Sequence, residues 1–374
     1  MKIAFNARFL LYQRLEGLGW YSFQIIKRIV ESQPEHDYYF LFDREPHKEF
    51  LFHPSIKPIV VRPQARHPFL WYLWFEWSVP GILKQYEIDL FLSPDGFCSL
   101  KAECPQIMIV HDLAHEHYPD QVPFLVGKYY HYFVPKYIEK ADYIFAVSQA
   151  TKDDIIRHYA VREDKIGLAY NGCRDEFRPI TEESKNAVRN KITSGNPYFL
   201  FVGAMHPRKN VHGLIKAFSQ AKKEYHLSEH LVLIGRKAWL SDEIKSAYET
   251  SEVKDEIHFL PYQNTDQLAA ITAAAAALVM PSFLEGFGVP VLEALHCDVP
   301  VMVSSTFSLP EVGGPGAIFF DPHSVGSIAK ALGQKILDKE DRIRMGEEHR
   351  KKFSWDDTAD LIYQKIIELG KKKF

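Results

Sequence analysis

Short apolar runs alternate with helix-length segments along all 374 residues, and this alternation limits the fold more than any other feature. In the first half the runs fall at 2–6, 38–42, 57–61, 88–92, 106–110, 143–147 and 165–169. Strands covered on both faces carry continuous apolar runs, and helical crossovers between them require parallel neighbours. The pattern therefore predicts a doubly wound parallel sheet. A polar stretch, Asn171-Gly-Cys-Arg-Asp-Glu-Phe-Arg-Pro179, interrupts it and reads as an interdomain linker. The alternation then restarts with runs at 198–202, 231–235, 257–260, 277–280 and 299–304. Helices are expected at 324–337, 342–353 and 355–369, with Gly370 as a stop and a lysine-rich tail beyond it. A chain of this length exceeds one ordinary core, so two domains are expected, at 1–175 and 176–354.

In such sheets ligands bind beyond the carboxyl ends of the strands, so the loops there carry the candidate site. Foremost is Met280-Pro-Ser-Phe-Leu-Glu-Gly-Phe-Gly-Val-Pro-Val-Leu-Glu-Ala-Leu295. Gly286 and Gly288 would let backbone amides approach an anion, and Pro290 suits the first turn of the helix that follows. Glu285 precedes that loop and Glu293 is placed in the first helical turn; carboxylates there can grip vicinal hydroxyls. Amides for phosphate and acids for hydroxyls describe a sugar nucleotide, although either glutamate could equally be a plain helix-start residue. Arg208 and Lys209 sit in the loop after the run at 198–202, ahead of Asn210, which reads as an N-cap. Such a pair could clamp a diphosphate. In the first half, Gly17-Leu-Gly19 is a loop leading into a helix from Trp20 to about Val30, a geometry that serves phosphate approach or a plain tight turn. His111-Asp112 follows the run at 106–110, and His111 could hydrogen-bond a ligand or only hold its loop. Ser148 suits a helix cap.

Several classes are disfavoured. The net charge of -3 argues against nucleic-acid binding by bulk electrostatics. Cys98, Cys104, Cys173 and Cys297 lack metal-type spacing, which fits a reducing compartment. The tract His111-Asp-Leu-Ala-His-Glu-His117 completes no ligand set by itself, so no metal is expected. Neither signal peptide nor membrane span is read, and a cytoplasmic location follows. Trp71, Tyr72, Trp74, Phe75 and Trp77 suit either a helix face packed on the sheet or a peripheral membrane contact of the first domain.

The paired glutamates, with seven residues between them in Glu285-Gly-Phe-Gly-Val-Pro-Val-Leu-Glu293, resemble the motif of family-4 retaining glycosyltransferases of the GT-B fold. Phe201-Val-Gly-Ala-Met-His-Pro-Arg-Lys-Asn210 is similar to that family's diphosphate loop. The segments starting at Ala146, Tyr170 and Ser308, the Gly17-Leu-Gly19 loop and His111-Asp112 also match, in the right order. His296-Cys-Asp298 departs from the family's small-Cys-Gly turn. The resemblance is strongest to bacterial enzymes of surface-polysaccharide assembly, lipopolysaccharide included, many of them mannosyltransferases. It implies two Rossmann-like domains facing across a cleft, with the helix at 355–374 completing the first, acceptor-side domain. It further implies that Arg208 and Lys209 hold the donor diphosphate, Glu285 the transferred sugar and Glu293 the ribose. The amides of Gly286, Phe287 and Gly288 would meet sugar or phosphate, Gly19 would approach the diphosphate, and His111 would lie near the reacting sugar. The base would pack near 260–262.

The function so implied is transfer of a hexose, mannose favoured, from a GDP- or UDP-sugar to a glycan or lipid-linked acceptor, at the inner face of the membrane. The resemblance implies retention through attack on the leaving-group face, with the phosphate taking the acceptor's proton. No D-x-D motif is present, so no metal and no cofactor are expected, and the protein cations would offset the leaving charge. A GT-B sugar-nucleotide epimerase and a non-catalytic sugar-nucleotide binder are the competing readings. A Rossmann oxidoreductase would need a third glycine that the first loop lacks.

Overall fold

Strand β1, Lys2–Asn6, lies between β2, Asp37–Phe42, and β4, Leu90–Ser93, with Phe5 in register with Phe40 on one side and Leu92 on the other. The computed structural model describes residues 1–12, 15–235, 242–334 and 338–371. Strands β3, Ile56–Val60, β5, Gln106–Val110, β6, Tyr143–Ala146, and β7, Ile166–Leu168, complete a seven-stranded sheet of order β3-β2-β1-β4-β5-β6-β7. Every pairing in it is parallel. Ile3, Ala4, Phe5, Leu90, Phe91 and Leu92 are fully buried, as strands covered on both faces require.

The chain divides into two compact units, Met1–Asn171 with Ser354–Phe374, and Gly172–Phe353. The second unit has its own parallel sheet: β8, Tyr198–Val202; β9, His230–Ile234; β10, Ile257–Leu260; β11, Ala277–Met280; β12, Val301–Ser304; β13, Ile318–Phe320. Their order is β10-β9-β8-β11-β12-β13. In each unit the strand order reverses once, beside β1 and β4 in the first and beside β8 and β11 in the second. Ligands of doubly wound sheets bind at such switch points.

The C-terminal helix Trp355–Lys371 packs on helix Gly17–Ser32 of the first unit. Trp355 meets Tyr21 edge-on at 5.5 Å, Arg28 Nε donates to Asp356 Oδ1 at 2.5 Å, and Thr358 Oγ1 donates to the Tyr170 carbonyl at 3.0 Å. The helix runs through Gly370 to Lys371, so Gly370 is not the stop read from the sequence. Residues 372–374 of the expected tail and 335–337 of the expected helix 324–337 lie outside the described residues, as do 13 and 14 of the first loop. Within what is described, those helices run Val325–Gly333 and Lys339–Arg350, and Leu309–Gly313 is a further short helix.

The aromatic segment is mostly core. Trp74 and Phe75 are fully buried, and Trp74 Nε1 donates to the Val61 carbonyl at 3.0 Å. Trp77 faces outward with 61% of its surface exposed, beneath Lys101 Nζ at 3.9 Å. No described helix is long and apolar enough to cross a membrane.

Candidate active site

At the switch point of the second unit, the loops after β8 and β11 meet. After β8 a short 3-10 turn, Pro207–Lys209, presents two successive cations before helix Val211–Tyr225. Asn210 does not cap that helix by its side chain. It adopts a left-handed conformation, φ 54°, and its buried amide donates to the carbonyls of Pro322 at 2.7 Å and Pro281 at 3.3 Å. The residue type was read correctly but not the role, because asparagine is favoured both at caps and in left-handed backbone. Here the second use ties the β8 loop to the start of the β11 loop, and Phe283 N donates to the Arg208 carbonyl at 2.9 Å in the same seam.

Lys209 Nζ consequently reaches both carboxylate oxygens of Glu285, at 2.5 Å to Oε2. Ser282 Oγ donates to Oε1 at 2.7 Å, and Arg208 Nη1 lies 4.0 Å from Oε2 while donating to the Leu284 carbonyl at 3.0 Å. Glu285 is 8% exposed. Burial raises the pKa of its carboxyl, but the charges of Lys209 and Arg208 and the hydrogen bonds from Lys209 and Ser282 outweigh that and hold it below its ordinary value. Two cations against one carboxylate leave the cluster positive, as a site for a diphosphate requires.

The β11 loop is fixed by hydroxyls from the segment after β12. The Ser308 hydroxyl shares its one proton between the carbonyls of Glu285 at 2.8 Å and Phe287 at 2.9 Å, Thr306 Oγ1 donates to that of Phe283 at 3.0 Å, and Ser304 Oγ to that of Ser282 at 2.7 Å. Gly286 and Phe287 are buried, with Phe287 edge-on to Phe353 at 5.4 Å. Gly288 precedes helix Val289–His296 at φ +101°, where a side chain would also press on Leu309 at 2.7 Å. That position excludes every L side chain without strain.

Glu293 lies in the second turn of helix Val289–His296, not the first as the sequence suggested, because the helix begins at Val289. It faces Arg174, whose Nη2 and Nε donate to Oε1 at 2.6 and 3.2 Å, while Nη1 donates to Thr265 Oγ1 at 3.1 Å. Burial pushes the Glu293 carboxyl above its ordinary value, and Arg174 offsets only part of that. By sequence Arg174 falls in the linker at 171–179; only the folded chain brings it against a glutamate far along the sequence. Tyr262, beyond β10, is 60% exposed.

In the first unit, Gly17-Leu-Gly19 forms the first turn of helix Gly17–Ser32 and not a loop. Gly19 is small because of its neighbours: a Cβ there would stand 2.7 Å from the Phe9 carbonyl oxygen and 3.0 Å from Leu15. Two residues on, Tyr21 meets the His111 ring edge-on at 4.8 Å. His111 Nε2 is 2.9 Å from the Pro94 carbonyl and donates to it, which leaves Nδ1 as an acceptor. Burial lowers the His111 pKa and the bond to Pro94 restores only part, so the ring is neutral near pH 7. Ser148 caps helix Gln149–Tyr159 as expected, accepting from Thr151 N at 3.0 Å. At the switch point of this sheet sits a group the sequence did not single out. Arg8 Nε donates to Asp95 Oδ2 at 2.6 Å, Asn6 Nδ2 donates to the same oxygen at 2.8 Å and to Ser93 Oγ at 2.9 Å, and all are buried.

Comparison with known proteins agrees with this architecture. The family model described as Glycosyltransferase Family 4 matches residues 16–177, and that described as Glycosyl transferases group 1 matches residues 182–352. The chain is 28% identical to the O-antigen chain mannosyltransferase B of Escherichia coli, over 96% of this chain and 97% of that protein. It is 26% identical to the O-antigen chain mannosyltransferase RfbU of Salmonella typhimurium, over 84% of each. Among solved structures, Anabaena Alr3699/HepE in complex with UDP and glucose superposes with a TM-score of 0.73 at 17% identity, over 99% of this chain and 100% of that one. Two Rossmann-like units in this order, with both halves matched, make the chain a glycosyltransferase enzyme that belongs to family 4 and has the GT-B fold.

Proposed function

We propose that the protein transfers a hexose, mannose favoured, from a nucleotide-diphosphate sugar to a glycan or lipid-linked acceptor in surface-polysaccharide assembly. What carries this reading is the convergence of Arg208, Lys209 and Glu285 at one switch point. The mannosyl preference is supported by the two O-antigen mannosyltransferase relatives. The acceptor is met at the inner face of the membrane, by peripheral contact of the first unit.

In this reading Arg208 and Lys209 meet the donor diphosphate, and Glu285, oriented by Ser282 and Lys209, accepts hydroxyl protons of the sugar. The amides of Gly286, Phe287 and Gly288 face sugar or phosphate. Arg174 occupies Oε1 of Glu293 and leaves Oε2 for the ribose hydroxyls. Gly19 and His111 take their roles from the family resemblance: Gly19 at the diphosphate, and His111 accepting through Nδ1 near the transferred sugar. The bond from the anomeric carbon to the diphosphate breaks as the acceptor oxygen bonds on the same face. The acceptor's proton passes to the departing phosphate oxygen. Negative charge grows on that oxygen, and fixed cations in a site shielded from water stabilise it without reorganising. No metal ion and no cofactor are assigned to this step.

The test is incubation with a panel of GDP- and UDP-sugars in the presence and absence of EDTA, following donor hydrolysis and transfer. Cleavage of one donor, unchanged by the chelator and giving a product of retained anomeric configuration by NMR, is expected. Cleavage that stops with EDTA would remove the metal-independent reading. Interconversion of two sugars without release of nucleotide would mark an epimerase instead.

A further inference from the structure

The tract from His111 to His117 contributes one residue to a cluster outside the site described above. Helix Gln149–Tyr159 places Asp154 and His158 one turn apart on the same face, the i, i+4 spacing by which a helix offers two ligands to one ion. His117, which ends the short helix Ala114–His117 in the loop following β5, closes on them from outside. His117 Nε2 is 2.7 Å from Asp154 Oδ2, His158 Nδ1 is 3.2 Å from Asp154 Oδ1, and the two imidazole rings stand 5.1 Å apart at 77°. One ligand atom from each of the three residues lies within 4.8 Å of the other two.

The hydrogen bonding of Asp154 points to a ligand. Its carboxylate is 6% exposed, yet among the described residues Oδ1 is buried with no hydrogen-bond partner, since the nearby His158 Nδ1 is directed to the Asp154 backbone carbonyl at 3.0 Å. A buried carboxylate oxygen left in this way is costly unless something else fills its lone pairs. His117 and His158 keep 24% and 28% of their side-chain surface open, so the mouth of the cluster is accessible.

We infer that His117, Asp154 and His158 form a binding site for a divalent cation of the zinc class. Two imidazoles and one carboxylate select borderline transition-metal ions over magnesium or calcium, which prefer oxygen. Ligand atoms around tetrahedral zinc lie roughly 3.3 Å apart, so sub-ångström to ångström adjustments of the three side chains complete the set. Water fills the fourth position on the open side. On binding, His158 moves its ring proton to Nε2, gives up its bond to the Asp154 carbonyl and offers the Nδ1 lone pair. His117 gives up its contact with Asp154 Oδ2 and offers Nε2. The ion would pin the loop carrying His111 and Asp112 to helix Gln149–Tyr159. It takes no part in the transfer step.

Calorimetric titration of the chelator-treated full chain with Zn²⁺, and separately with Mg²⁺, tests this. One equivalent of Zn²⁺ and no Mg²⁺ is expected to bind, with a zinc-dependent rise in melting temperature. His158→Gln, on a partly open residue, is expected to weaken binding at least about tenfold, and His117→Gln/His158→Gln to abolish both the equivalent and the thermal shift. Circular dichroism identifies any variant that has not folded, and His158→Gln keeps the test decisive if the double variant fails. Undiminished zinc binding by folded variants, binding of Mg²⁺ with equal strength, or no zinc binding by the wild type would each overturn the assignment.

Discussion

Lys209 donates to both carboxylate oxygens of Glu285 across 76 residues of sequence, so the cation read as a phosphate ligand and the acid read as a sugar ligand form one unit. Each sets the other's state, and removing either exposes what the other was doing. Lys209→Ala strips a buried carboxylate of its main partner, which costs on the order of 3–5 kcal/mol. In the proposed reading it also removes a fixed charge from beside the leaving group, worth about 10²–10³ in turnover. Adding Glu285→Gln should recover most of the melting temperature of Lys209→Ala while leaving turnover low. Recovery of both together, or of neither, would contradict the separate roles.

Among the described residues, Ser308 hydrogen-bonds two carbonyls and no ionised group. Ser308→Ala should take the hydroxyl away from those two carbonyls at a cost of about 1 kcal/mol and loosen the loop that carries Glu285. Because it positions other groups, kcat is expected to fall more than the donor KM rises, and Ser308→Thr should restore part of the loss. A change in KM alone would make Ser308 a residue of donor affinity instead.

Asp298 holds a left-handed backbone, φ 56°, and accepts from Arg350 Nη1 at 2.8 Å. Asp298→Gly should fall within about 1 kcal/mol of the wild type, the released strain offsetting the lost contact. Asp298→Ala keeps the strain without the contact and should be less stable by about 1–2 kcal/mol. Thermal melts that order the two variants the other way would refute the strain argument.

His296 is half-buried, its Nε2 has no hydrogen-bond partner among the described residues, and the charge of Arg350 lies nearby. Burial first, and that charge second, push its pKa down to about 4 from an ordinary 6.5. Between those values the unfolded chain holds the proton and the folded one does not. Stability is therefore full above pH 6.5 and is lost as pH falls toward 4. The stability advantage of the wild type over His296→Gln should shrink across that interval. An advantage independent of pH would refute the assignment.

Much of this was legible in advance because the relevant signals are local. Apolar runs fully buried in parallel sheets announce themselves, and Arg208, Lys209 and Glu285 each stand in a loop at a strand's carboxyl end, where position alone nominates them. Arg174, Ser308 and Arg8 were missed for the opposite reason: each acquires its meaning from a partner on another element. Gly19 and Glu293 were shifted by a turn because helix starts carry weak signals; here the first helix begins three residues earlier than its apolar pattern does. Asn210 was misassigned because one side-chain chemistry serves two backbone conformations.

The division of the chain has a consequence for biosynthesis. Unit Gly172–Phe353 is continuous, whereas the other unit is completed by helix Trp355–Lys371. On a ribosome the middle of the protein can therefore reach its native packing while the opening portion still lacks its last piece. That portion, with the surface of helix Gly17–Ser32 uncovered, must wait for helix Trp355–Lys371 to be made, and it is the part on which chaperones would be expected to act.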